Sequence, residues 1–198
     1  MRALAKQVAL GLATLAVLPS LLSYAVRSRI LGRNRALEGS SQLLALVPGI
    51  TGQYVRRAFL AHVLAEVGEH ATIEFGTVLS KADARLGRNV YVGPFCNLGL
   101  VELGPDVLLA GGVSVPSGPH AHGTTSIDIP IRLQPGRLTP VHIGEGSWIG
   151  SGAIVMADVG RHTIVAAGAV VVDPIPDFVI AAGVPARVVR ARAGATTG

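Results

Sequence analysis

Aromatic residues make up 4% of this 198-residue chain, and cysteine and tryptophan occur once each. The single cysteine, Cys96, excludes a disulfide within the chain and fits a reducing compartment. So few aromatics leave no platform on which bases could stack, which excludes a nucleic-acid partner. Acidic residues are nearly missing from the first third. Residues 1–65 hold eight basic residues against Glu38 alone, whereas the remainder holds nine basic and eleven acidic. A segment that is both basic and apolar points to an anionic membrane surface. Glycine is plentiful, at 25 residues, and the aliphatics are mostly Val, Leu, Ala and Ile. That mixture suits a stacked repeat filled by small branched side chains better than a helical bundle. The length allows one sizeable core, or a core with a small appendage.

The run Val8–Val26 carries no charge and is about as long as the roughly 20 residues a bilayer-spanning helix needs. A signal peptide would also begin basic and turn apolar, but this run exceeds an ordinary apolar region and leads into arginines instead of a small-x-small cleavage site. Pro19 removes one backbone bond and bends a helix. Arg2 and Lys6 precede the run, and Arg27, Arg29, Arg33 and Arg35 follow it. Positive charge on both flanks holds both ends on the cytoplasmic side, which a re-entrant helix satisfies and a single span leaves open. Residues 40–67 read as further helix, stopped at Pro48-Gly49 and restarted with Thr51 as N-cap. That second helix either lies in the membrane interface or caps the next domain. The expectation is a helical anchor over 1–70 that contacts membrane lipids at the cytoplasmic face of the cell inner membrane.

From residue 71 the pattern changes. Aliphatics recur at Ile73, Leu79, Leu86, Val92, Leu98, Leu103, Leu109 and Val115, then at Ile143, Ile149, Val155, Val159, Val165 and Val171. The spacing is mostly six, which fits neither a helix nor a strand. It fits a chain that turns a corner every six residues and stacks its coils. Glycine follows the aliphatic at Gly87, Gly93, Gly104, Gly144, Gly150 and Gly160, where tight turns with unusual backbone angles are expected.

The segments "IGEGSWIGSGAIV", "TIVAAGAVV" and "AAGVPARVVR" closely resemble the hexapeptide-repeat acyltransferases, the family of sugar, nodulation and xenobiotic acetyltransferases. The resemblance covers residues 71–192 and leaves the first 70 unexplained; 193–198 read as a tail. It implies a mainly β fold, a left-handed parallel β-helix assembled as a homotrimer. It also implies acetyl-CoA held between neighbouring subunits, with no metal.

The ladder breaks after Val115, and residues 121–140 form a long excursion, a length that is usually functional. His120 stands at its mouth, where the family places its catalytic histidine. Acetyl transfer from a thioester to a hydroxyl needs a group that takes a proton near neutral pH and returns one to the thiol, and imidazole suits both. The resemblance assigns Asn97 to the acceptor. Glu102, His122 and Arg132 are further candidates for the same pocket, each with an alternative as a solvated turn or loop residue. Cys96 beside Asn97 lacks a sequence partner and reads as structural. On the coenzyme side the resemblance places Trp148 as a wall of the pantetheine channel, Gly150 and Ser151 along the pantetheine arm, and Ala167 where the coenzyme slides closely past. Arg187 and Arg190 match positions near its phosphates. Two departures separate this chain from the sugar enzymes: "VMADVGRH" is two residues shorter, and Val172 replaces a hydroxyl residue near the adenine end.

The expected activity is acetyl-CoA-dependent O-acetylation of a saccharide or lipid-linked glycan acceptor, with N-acylation of an amino sugar as the alternative. A zinc carbonic anhydrase on the same scaffold would need paired histidines five positions apart, which His120, His122 and His142 do not supply. A non-catalytic trimeric scaffold would not need His120 together with the coenzyme motif.

Overall fold

The computed structural model describes residues 2–192, with side chains from residue 8 onward; the expected tail lies outside the described residues. Three helices open the chain: α1 (Arg2–Leu31), α2 (Arg33–Ala45) and α3 (Gly49–Val63). The first is longer than the apolar run and stays continuous through Pro19. The second begins at Arg33, ahead of the expected position 40. The break at Pro48-Gly49 is where the sequence places it, but Pro48, extended at φ −80° and ψ 164°, is the N-cap, and Thr51 lies inside the first turn. Proline's fixed φ already sets the entry angle there, so no side-chain cap is required.

The rest is a parallel β-solenoid of six coils. The first holds β1 (Glu66–Val67), β2 (Thr72–Ile73) and β3 (Val78–Leu79); the second β4 (Arg85–Leu86), β5 (Tyr91–Val92) and β6 (Asn97–Leu98). The third holds β7 (Val101–Leu103), β8 (Leu108–Leu109) and β9 (Ser114–Val115); the fourth β10 (Val141–Ile143), β11 (Trp148–Ile149) and β12 (Ile154–Val155). Val159 and Ile175 continue the first face as isolated bridges, followed by β13 (Ile164–Val165), β14 (Val170–Val171) and β15 (Val179–Ala182). The closing β16 (Arg187–Ala191) folds back antiparallel on β15. Three faces result: β1-β4-β7-β10, β2-β5-β8-β11-β13-β15, and β3-β6-β9-β12-β14. Every aliphatic of the six-residue pattern points inward and is at most 3% exposed. The solenoid begins earlier than the pattern suggests, at Glu66, so His70 belongs to its first corner and not to the helical region.

The glycines have a different cause from the one expected. Gly87, Gly93, Gly104, Gly144, Gly150 and Gly160 are absent from the positive-φ positions. A Cβ at any of them would come within 3.0 Å of the backbone of the following coil. Coils stacked at about 4.8 Å leave no room for a side chain there. The left-handed conformation falls instead at the corners, three residues after an inward aliphatic. There glycine alternates with His70, Asn89, Phe95, Asp106, His162 and Phe178.

Two corners always take six residues between inward positions, whereas the third is irregular. It takes seven from Leu79 to Leu86, five from Leu98 to Leu103, twenty-eight from Val115 to Ile143, and four in each of the last two coils. All of the solenoid's length variation is therefore gathered on one edge.

The helices close the open end of the solenoid. A first coil without a predecessor exposes unpaired strand groups, and α2 and α3 satisfy them. Leu79 N–H donates to Ser41 Oγ, Ala82 N–H to Asn34 Oδ1, and Gly76 N–H to the Ala45 carbonyl, each at 2.9 Å. The guanidinium of Arg56, 2% exposed, donates to carbonyls on both sides of this junction: Ile73 at 2.9 Å, Leu44 at 3.2 Å and Val47 at 2.6 Å. Burial pushes its pKa below the ordinary value, and the charge of Glu74 opposes that shift.

Candidate active site

The excursion is an ordered stem and tip rather than a slack loop. Thr139 N–H donates to the Ser117 carbonyl at 3.0 Å, and Arg137 N–H to the His120 carbonyl at 2.7 Å, so the two arms run side by side. Ser117, 5% exposed, ties the stem to the coil below by accepting from Leu100 N–H at 2.9 Å. In the tip, buried Gln134 donates to the Ser126 and Ile129 carbonyls, both at 2.7 Å. His120 is thereby fixed through its backbone while its side chain is exposed. Neither Ser117 nor Gln134 stood out in the sequence. Their role is to hold backbone groups that only the folded loop brings together.

The candidate residues fall into two groups. Asn97 on β6, Glu102 on β7, His120, His122 and Arg132 all lie on or beside the irregular edge. Asn97 is exposed and stands in register with Ser114 at the foot of the excursion. Glu102 is already engaged, 3.1 Å from His142 Nδ1 on the neighbouring strand, and belongs to an alternating ladder Glu66–Arg85–Glu102–His142. Arg132 sits exposed in a 3-10 turn at Ile131–Leu133. Cys96 is buried, its Sγ 3.2 Å from the Ala110 carbonyl, and desolvation pushes its pKa up. A neutral, enclosed thiol is no nucleophile.

The second group follows another edge. Gly150, Ser151 and Ala167 lie at the corner between the second and third faces, and Trp148 stands half-exposed on the second face beside Leu108 and Ile164. Phe75 and Phe95 pack edge-on at this corner in the first two coils, but from the third coil to the fifth it is almost bare of side chains. Gly112, Gly152 and Gly168 occupy it in successive coils at φ 73°, 68° and 68°, and a Cβ at Gly152 or Gly168 would meet nothing within 4 Å. An extended, narrow arm fits such a strip, because polypeptide backbone is all it has to pass. Near its end Arg187 pairs with Asp173 at 3.0 Å, both side chains well exposed, while Arg190 reaches only the Ala191 carbonyl at 3.5 Å. Coenzyme A, which the resemblance implies, would find bare backbone along its arm here, with Arg190 and an exchangeable Arg187 as the cations at the end of the strip.

Within one chain the third face lies between the His120 stem and the bare corner. A prism side of six residues spans up to about 20 Å, and the stem of His120 and the bare corner lie on different edges. The second face between corners carries Tyr91, Leu108, Trp148, Ile164 and Ile180 in register, an outward apolar stripe. Among the described residues no group of three or more His, Cys, Asp or Glu side chains is placed to hold a metal ion.

A parallel β-solenoid with a histidine-bearing excursion on one edge and a glycine-lined corner on another defines the class of hexapeptide-repeat transferases. Galactoside O-acetyltransferase of Escherichia coli K12 is 31% identical over 144 residues, 68% of either chain. A Saccharomyces cerevisiae protein assigned to the acetyltransferases is 35% identical over 116 residues, 52% of this chain and 57% of that protein, so little more than half of its length is matched. The solved structure of a galactoside acetyltransferase in complex with coenzyme A superposes with a TM-score of 0.64 at 25% identity, covering 80% of both chains. No family model matches the sequence. The chain belongs to the hexapeptide-repeat acetyltransferase family.

Proposed function

We propose that the protein transfers an acetyl group from acetyl-CoA to a saccharide hydroxyl at the cytoplasmic face of the cell inner membrane, as a homotrimer. The observation that carries this is His120, held by its backbone on a rigid stem with its imidazole free. Acetyl-CoA supplies an activated thioester. Imidazole takes the hydroxyl proton as the new C–O bond forms, then returns a proton to sulfur as the C–S bond breaks. Asn97 orients the acceptor, with His122 and Arg132 at the pocket's outer side. Glu102 supports the same edge through His142. Trp148, Gly150, Ser151 and Ala167 guide the pantetheine arm.

Separation of the two groups supports a trimer, in which the stem of one subunit faces the bare corner of the next and the apolar stripe is covered. Mixing tests this. His120→Ala and Ala167→Phe, each inactive alone, should regain about a quarter of wild-type activity when co-assembled, since random pairing reunites intact halves in one site of four. Mixtures as inactive as the parents would mean that each chain builds its site alone. For the acceptor, glycans from a deletion strain should lack one acetyl group by mass spectrometry, and an unchanged glycan profile would remove saccharides from consideration.

Removing Arg187 and Arg190 together should raise the KM for acetyl-CoA by about tenfold or more while changing kcat little, because they bind a remote phosphate. The difference should narrow at high salt, where exposed charges are screened. An unchanged KM would place the phosphates elsewhere.

A further inference from the structure

Helix α1 is apolar on two opposite faces, and the fold buries only one. Ala13, Val17 and Tyr24 are buried, with Leu10 and Leu21 packed beside them, against α2 and α3. Tyr24 meets Phe59 of α3 edge-on at 6.0 Å. On the opposite side Val8, Leu12, Leu15, Leu22, Val26 and Ile30 are 55–75% exposed. The layers are ordered: α2 packs on β3 and α3 on β1 and β2, while α1 packs on the two helices. The free face therefore points away from the solenoid, at the end of its long axis.

We propose that α1 lies flat in the surface of an anionic bilayer, free face downward, with the solenoid standing on it. This deepens the membrane location proposed above and rests on it. A helix crossing the bilayer over residues 8–26 would carry its packed stretch, Leu10 to Tyr24, into hydrocarbon. The helices α2 and α3, with Arg56 and Arg57, would have to follow. Lying flat needs no such burial, and the charge agrees. Arg29 and Arg35 are exposed on this helical unit against Glu38, while Arg33 pairs with Asp83 of the solenoid at 3.1 Å; the excess of positive charge matches anionic headgroups and opposes pairing with a second, equally basic copy.

The orientation also sets a height. Helix layers spaced about 9 Å and coils about 4.8 Å put the His120 stem, between the third and fourth coils, roughly 30 Å from the α1 axis. A membrane-borne acceptor must therefore present its hydroxyl on a long polar arm, an oligosaccharide and not the sugar next to the lipid.

The full-length protein should sediment with phosphatidylcholine–phosphatidylglycerol vesicles, less with pure phosphatidylcholine, and less at high salt. Leu15→Glu with Leu22→Glu should weaken this by about tenfold or more without lowering the melting temperature, because both positions are outside the packed face. Nitroxides on Leu12→Cys and Val26→Cys distinguish the path, since buried Cys96 stays unlabelled. Flat binding gives the two labels equal depth near the headgroup boundary, whereas crossing separates them by about 21 Å. A third label at Ile127→Cys, on the loop tip, should remain in water. Unequal depths, or a loop label as deep as the helix labels, would overturn the flat orientation while leaving membrane binding intact. Absence of sedimentation, with the helix labels buried in a self-associated species, would overturn both readings in favour of a second copy.

Discussion

Replacing His120 by alanine should lower kcat by roughly two to four orders of magnitude, the usual worth of a positioned general base. The KM for acetyl-CoA should stay within about twofold, because the residue lies on a different edge from the bare corner proposed for the pantetheine arm. Stability should not change either. The stem is held by the backbone pairs Ser117–Thr139 and His120–Arg137 and by Ser117 Oγ, none of which involves the imidazole. His122→Ala is the decisive control. It should retain most of its turnover, and an inactive His122→Ala beside an active His120→Ala would reverse the assignment.

The largest effect on stability should come from Arg56→Ala. Its guanidinium joins the Leu44 carbonyl of α2 and the Val47 carbonyl just after that helix to the first coil, and alanine would leave the carbonyls of Leu44, Val47 and Ile73 without this donor in a buried junction. Losing charged hydrogen bonds at buried acceptors suggests a loss on the order of 3–5 kcal/mol in urea denaturation. Arg56→Lys should recover less than half, since one ammonium cannot reach carbonyls on both sides as a planar fork does. Gly52→Ala should reproduce part of the defect, because its Cβ would press on the Val47 carbonyl and the guanidinium. A Lys variant as stable as wild type would mean that charge alone, without the fork, joins the two units.

The inward aliphatics were legible because each contributes in isolation. A branched residue at every sixth position has one consistent way to be buried, and Ile73 through Val171 all are. The excursion was legible for a related reason: a break in a strict period marks its own position, here after Val115. The glycines misled, because their cause is the neighbouring coil, not their own backbone angles. Arg56 gave no signal either. An arginine on an apolar helix reads as a headgroup contact until α2 and the first coil arrive together around it.

The coils, the position of the break and the helical start could be read from the amino-acid sequence, because each depends on residues close along the chain. That the irregular corners share one edge, that His120 and the bare glycine corner lie on different edges, and that α1 is packed on one face and bare on the other follow from tertiary packing. Those are relations between segments tens of residues apart, set by how the coils stack and how the helices close their open end, and no local pattern encodes them.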